Sequence, residues 1–158
     1  MTARIPMTPE GQKILTEKLR YLKKVERPQN VQDIEIAREK GDLSENAEYD
    51  AAKNKQGHLN AQMKEIENTL ALAEVIDPSS IKSDRIAFGA TITLMDIDND
   101  EELTYRIVGT VESDIKLGKI SIESPIARAL IGKEEADEVR VKTPKGMRIF
   151  EVVSIKYV

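Results

Sequence analysis

The chain has 158 residues, enough for one ordinary domain or two small ones, and 24 Lys and Arg against 28 Asp and Glu give a net charge of −4. It has no cysteine, which excludes a disulfide framework and a Cys-based zinc site and fits a reducing compartment. Split at Asp77, each part carries 12 basic and 14 acidic residues, so neither is a basic nucleic-acid-binding domain in bulk. With no signal-peptide h-region and no apolar run near the ~18 residues of a membrane span, the expectation is a cytoplasmic protein without membrane contact.

Thr8-Pro9-Glu10 reads as a helix start, because Thr8 can cap and Pro9 suits the first helical position, where its missing N–H costs nothing. Leu15, Leu19 and Leu22 follow at spacings of four and three, with Ile14 and Val25 widening the stripe. Pro28 removes a hydrogen bond and crowds the preceding turn, which predicts a kink and then more helix, with Val31, Ile34 and Ala37 on the inner face. Gly41 is the expected stop.

A second helix is expected to begin between Asp42 and Asn46. Its seam runs Tyr49, Ala52, Gln56, Leu59, Met63, Ile66, Leu70, Ala73, a sustained heptad pattern with Lys53, Lys55, Lys64, Glu65 and Glu67 outside it. Arms of about 30 residues span roughly 45 Å at ~1.5 Å per residue, and the short turn between them makes them antiparallel. Toward the turn the inner residues become Ala52 and Gln56, which predicts looser pairing there. Gly57 inside this helix is either simply tolerated, at ~1 kcal/mol relative to Ala, or a place of close approach.

From Arg85 the period changes to two. Ile86–Phe88, Thr91–Leu94, Thr104–Val108, Ile120–Ile122, Val139–Val141 and Ile149–Val153 read as strands, with turns at Asp98-Asn99-Asp100 and Thr143-Pro144-Lys145-Gly146. Ser124 caps a short helix over Pro125–Leu130. Four of the six aromatic residues (Phe88, Tyr105, Phe150, Tyr157) lie here and supply core volume. The fold class is therefore α+β in two domains: a coiled-coil helical hairpin over 1–78 with its tip near 41–49, and an antiparallel β domain with one short helix over 79–158.

The tip carries the chemical signal. Asp42 and Glu45 have the spacing of a capping box, which alone demands no chemistry. Glu39, Glu48 and Asp50 crowd the same twelve residues, although a single acid suffices as a cap. Paired carboxylates suit a hard cation such as Mg²⁺, but two alone bind it weakly because the ion keeps most of its waters. Arg38 and Lys53 flank the turn and serve either to pair with these acids or to hold a phosphate chain. His58, the only histidine, has no neighbouring ligand set and reads as a surface residue. No self-sufficient active site is visible.

These residues resemble the bacterial transcript cleavage factors of the GreA type. The likeness runs from Ile5-Pro6-Met7-Thr8 through Ala37–Tyr49 and Phe88-Gly89-Ala90 to Tyr105–Gly109, Ser124–Lys133 and Lys142-Thr143-Pro144. The resemblance implies a coiled-coil hairpin and an FKBP-like C-terminal domain. It also implies binding at the secondary channel of RNA polymerase, with the hairpin inserted toward the catalytic centre, where the nascent RNA 3′ end is extruded after backtracking. By the same resemblance Asp42 and Glu45 help the polymerase hold its second Mg²⁺, so the chain has no cofactor of its own and is not itself an enzyme. Arg38 and Lys53 correspond to the RNA-contacting basic patch. Relatives often carry Arg at position 53, and Lys keeps the charge without the bidentate geometry. Ser124 and Pro125 fall in the segment that contacts polymerase. The free protein is expected to be a monomer.

Two other classes are compatible with parts of this pattern. A regulatory secondary-channel binder that never promotes cleavage would share the body of the sequence, but the Asp42/Glu45 pair argues against it. A peptidyl-prolyl isomerase needs an aromatic-lined pocket, which four aromatics and no Trp in the C-terminal half supply poorly.

Overall fold

Thr8 does cap the first helix: the Gly11 amide donates to Thr8 Oγ1 at 3.1 Å in a computed structural model, which describes residues 3–41 and 46–158. Helix α1 (Pro9–Tyr21) runs into a π-helical segment, Leu22–Glu26, and continues as α2 (Arg27–Glu39), with Pro28 in the first turn of α2. The disturbance expected at Pro28 is thus absorbed one turn earlier, where wider winding accommodates the carbonyl that the proline ring would crowd.

That π turn resets the helical frame, and here the structure departs from the sequence reading. The inward positions run Leu15, Leu19, Leu22, Glu26, Asn30, Ile34, Ala37. Val25 and Val31, expected on or beside the inner stripe, are each 48% exposed, whereas Asn30 is 1% exposed. An extra residue in one turn rotates everything beyond it by a large fraction of a turn, which puts Asn30 rather than Val31 inward, while Ile34 and Ala37 are buried as expected. Ile14, ahead of that turn and also expected beside the stripe, is exposed.

Helix α3 (Ala47–Ala71) returns alongside and is capped by Asn46, within the window expected for its start. Its predicted seam holds as far as Leu70, with Leu59, Met63 and Ile66 buried and Tyr49, Ala52, Gln56 and Leu70 half-buried. The helix ends at Ala71, so Ala73, expected in the seam, lies beyond it. Leu22, Leu59, Met63 and Ile66 form the apolar cluster, joined by Leu15, Leu19 and Leu70. Lys23 pairs with Glu67 at 2.8 Å and Lys55 with Glu26 at 3.4 Å across the arms, which fixes the antiparallel sense. Around Gly57 a Cβ would meet nothing within 4 Å, so no neighbour among the described residues requires the glycine.

The chain divides into two compact units, one of 1–3 with 12–73 and one of 4–11 with 74–158. The segment Arg4–Gly11, read from sequence as part of the hairpin, therefore groups with the second unit. Two short strands unforeseen in the sequence, β1 (Ile5–Met7) and β2 (Ala73–Val75), pair with each other. Glu112 accepts hydrogen bonds from the Thr8 hydroxyl and, at 2.8 Å, from the Thr8 amide. Gly11 is small for the same reason: a Cβ there would lie 2.7 Å from the Glu112 carboxylate.

A five-stranded sheet organises the second unit: β3 (Thr91–Asp96), β4 (Glu101–Val108), β5 (Lys119–Ser121), β6 (Glu138–Thr143) and β7 (Gly146–Lys156), in the order β5-β4-β3-β7-β6. The turns expected at Asp98–Asp100 and Thr143–Gly146 join β3 to β4 and β6 to β7. Residues of β3, β4, β6 and β7 and of helix α4 (Pro125–Leu130) build the core around Ile92, Leu94, Ile107, Leu130 and Phe150.

Two readings of this unit need correction. The sheet is not wholly antiparallel, because β4 and β5 run parallel, joined by two short 3-10 turns over 110–112 and 115–117. Nor is Ile86–Phe88 a strand. Ile86 is buried and exchanges backbone hydrogen bonds with Lys133 (2.9 Å) and Gly132 (2.8 Å), but Gly89, at φ 88°, turns the chain away before a ladder forms.

Asp96, at the end of β3, is fully buried and was not singled out from sequence. Arg148 donates to its carboxylate, and the Asp98 and Asn99 amides donate to it at 3.1 and 3.3 Å. The Arg148 hydrogen bond holds the Asp96 carboxyl below its ordinary value, against the opposing effect of burial.

Candidate functional site

The closed end of the hairpin is assembled from two helix termini. Helix α2 ends as the Lys40 and Gly41 amides donate back to the Ala37 and Arg38 carbonyls, each at 3.3 Å. Gly41 takes φ 112°, a left-handed conformation that glycine adopts without a Cβ penalty, as the sequence anticipates. Five residues on, Asn46 caps the start of α3. Asp42 and Glu45, the two acids nominated by the sequence, fall between these two residues in the chain and outside the described residues.

Asn46 was missed as a functional candidate. Its Oδ1 accepts from the Tyr49 amide at 3.1 Å, capping α3, while its Nδ2 donates to the Ala37 carbonyl at 2.6 Å. One side chain therefore satisfies an orphan donor of α3 and an acceptor at the end of α2. The capping role was visible in principle, since Asn directly precedes Ala47-Glu48-Tyr49. The link to Ala37 depends on a neighbouring arm and has no local signal. Lys40 and Glu48 add an ion pair between the same two arms at 2.7 Å.

Arg38 and Lys53 stand one on each arm, and both are exposed. Arg38 pairs with Glu35 at 3.4 Å and Lys53 donates to Gln56 at 2.9 Å, contacts within a single helix. Surface pairs of this kind contribute well under ~1 kcal/mol, so either cation can exchange its partner for a phosphate at little cost. Of the other acids, Glu39 and Asp50 face solvent and Glu48 is held by Lys40. His58 is exposed on α3. Among the described residues, no group of three or more His, Cys, Asp or Glu is arranged to hold a metal ion.

On the second unit, Ser124 is committed to structure: its hydroxyl donates to the Ser121 carbonyl at 2.7 Å and accepts from the Ala127 amide at 3.3 Å, capping α4. Pro125 in the first turn is exposed, as are Glu123 and Arg128 beside it. Two surface depressions, of about 300 and 450 Å³, are lined by Ser83, Asp84, Glu134, Glu135 and Ile155, and by Ala129, Lys133, Glu138, Val139 and Arg140. Neither has an aromatic wall. Phe88 and Phe150 are buried, and Tyr105 and Tyr157 pack against the core. Among the described residues, no helix is long and apolar enough to cross a membrane.

The family described as "Transcription elongation factor, N-terminal" matches residues 5–75, and "Transcription elongation factor, GreA/GreB, C-term" matches residues 81–157. Over 157 residues the chain is 55% identical to the transcription elongation factor GreA of Syntrophotalea carbinolica, covering 99% of each. It is 52% identical over 157 residues to that of Pelobacter propionicus, again covering 99% of each. The solved GreA factor homolog 1 of Thermus thermophilus is 25% identical, covering 96% of this chain and 98% of that one, with a TM-score of 0.44, too low to transfer structural detail.

Proposed function

We propose that this chain, which belongs to the GreA/GreB family of transcription elongation factors, stimulates cleavage of the nascent RNA by RNA polymerase when that enzyme has backtracked. The single observation that carries the mechanism is the arrangement at the closed end of the hairpin. Gly41 ends one arm and Asn46 begins the other, with Asp42 and Glu45 between them in sequence, and two exposed cations, Arg38 and Lys53, stand on the described residues to either side. Helix α3, with 25 residues, is about 37 Å long at ~1.5 Å per residue, a reach that suits delivery of carboxylates into the secondary channel of a larger machine.

Carboxylate oxygens are the donors a hard divalent ion prefers, yet Asp42 and Glu45 alone leave most of its coordination to water. The residues therefore fit Mg²⁺ only as supplementary ligands to an ion that polymerase already grips. Bound there, Mg²⁺ stabilises the attacking and leaving oxygens of phosphodiester hydrolysis. Asp42 and Glu45 would supply carboxylate oxygens to that ion, and Arg38 and Lys53 would draw in the phosphates of the extruded RNA 3′ end. The chain itself catalyses nothing and holds no cofactor. We read the hairpin as a coiled coil and the second unit as an FKBP-like domain without isomerase activity. Its exposed Pro125 surface, positioned by Ser124, docks on polymerase, and the free protein is a monomer.

Asp42→Asn and Glu45→Gln test this reading on a stalled, backtracked elongation complex. Each is expected to leave polymerase binding largely intact and to lower the maximal cleavage rate about a hundredfold or more, the scale on which losing one positioned charge-stabilising group acts. Unchanged cleavage with both would refute the role of the tip acids. Inhibition of elongation with no transcript shortening, even by the unaltered protein, would favour a non-cleaving channel binder instead.

A further inference from the structure

We propose that Asn30 and Asn46 are positioning residues for cleavage: their side chains lock the axial register of the two arms and so set where the segment carrying Asp42 and Glu45 leaves and rejoins the hairpin. This rests on the tip-acid reading above. Asn30 lies in the seam, 1% exposed, and its Nδ2 donates to the Ala52 carbonyl of α3 at 2.9 Å. Its Oδ1 is buried with no partner among the described residues. An unsatisfied buried acceptor is destabilising, and leucine would fill the same seam position without that penalty.

The tip half of the hairpin needs such a lock. Apolar contact is non-directional, and opposite Asn30 the α3 seam offers Ala52 and Gln56 in place of the large residues Leu59, Met63 and Ile66 farther along. A small alanine and a flexible, polar glutamine offer little apolar interdigitation to resist sliding. A hydrogen bond to one named carbonyl does resist it, which is how a single buried asparagine specifies register between paired helices. Asn46 repeats the device, bonding the Ala37 carbonyl two turns beyond Asn30. The ion pairs Lys23–Glu67 and Lys55–Glu26 are partly or well exposed on long, flexible side chains that can follow a shift, so they do not substitute.

The test uses the full chain with Asn30→Leu, Asn46→Ser and, as a control on the underlying reading, Asp42→Asn. Serine still caps α3 but its single oxygen cannot also span to Ala37. For Asn30→Leu the expected result is a melting temperature equal to or above that of the unaltered protein and an unchanged half-saturating concentration on backtracked complexes. Its maximal cleavage rate is expected to fall about tenfold or more, as misplacement of a reacting constellation by ~1 Å allows. Asn46→Ser should lose maximal rate in the same way. A merely structural asparagine would not give a more stable yet slower factor. Asn30→Leu cleaving at the full maximal rate while Asp42→Asn is inactive overturns the inference and leaves the tip-acid reading standing. Full activity of Asp42→Asn overturns that reading, and this inference with it.

Discussion

The hairpin and the second unit solve the problem of holding together in different ways. In the second unit Ala90, Ile92, Leu94, Ile107 and Leu130 are wholly shielded. In the hairpin the large seam residues Leu22, Ile34, Leu59, Met63 and Ile66 each keep 5–7% exposure. Two helices side by side can shelter only a stripe, whereas a sheet covered by a helix encloses a volume. The hairpin also carries directed bonds between its arms, from Asn30 and Asn46 to backbone carbonyls, which bear on register rather than on stability. Apolar burial thus supplies most of the stability in one unit, and polar geometry supplies register in the other, where the proposed chemistry sits.

If that division is right, heating should show two transitions, the hairpin first, followed by hydrogen exchange or circular dichroism. Phe150→Ala empties the enclosed core and is expected to cost about 3–5 kcal/mol, lowering the upper transition alone. Leu59→Ala in the half-open seam should cost about 2 kcal/mol and move the lower one, because partial collapse and solvent entry relieve the cavity. A single transition shifted equally by both changes would break the comparison.

Acid sharpens it next. Arg148 holds the Asp96 carboxyl below 3.8, so across the interval beneath that value the unfolded chain binds the proton more readily than the native one. Stability of the second unit is therefore present above 3.8 and lost as pH falls through the lowered native value. Arg148→Met should flatten this acid limb in urea titrations and leave the hairpin transition alone. The smallest expected effect is at Gly57, exposed on α3 with open space around it. Gly57→Ala should stabilise the hairpin by ~1 kcal/mol with cleavage unaltered. If cleavage falls, the glycine serves close approach of a partner.

Periodicity and caps made much of this legible in the amino-acid order. The switch from a helical to a two-residue period separated hairpin from sheet, and the α3 seam from Tyr49 to Leu70 was read correctly because nothing interrupts that helix. Thr8, Ser124, Gly41 and the Thr143–Gly146 turn announce themselves through local chemistry that acts within a few residues. In the candidate site, Arg38 and Lys53 were named and are exposed, one on each arm, while Asn46, which bonds across to Ala37, was passed over.

What local chemistry could not reveal depended on partners distant in the chain. Whether Asn30 or Val31 faces the other arm was decided by the π turn at Leu22–Glu26, since one extra residue rotates all that follows. Asn46 acquires its second role only because Ala37 comes alongside, and Asp96 can be buried as an anion only because Arg148 arrives from β7. Strand β1 exists because β2 lies beside it, and Ile86, apolar enough for a strand, is instead claimed by Gly132 and Lys133. Residue order determined the elements, since propensity and capping act over one or two turns. Tertiary packing decided frame, register and the pairing of polar groups, because those energies exist only once remote segments meet.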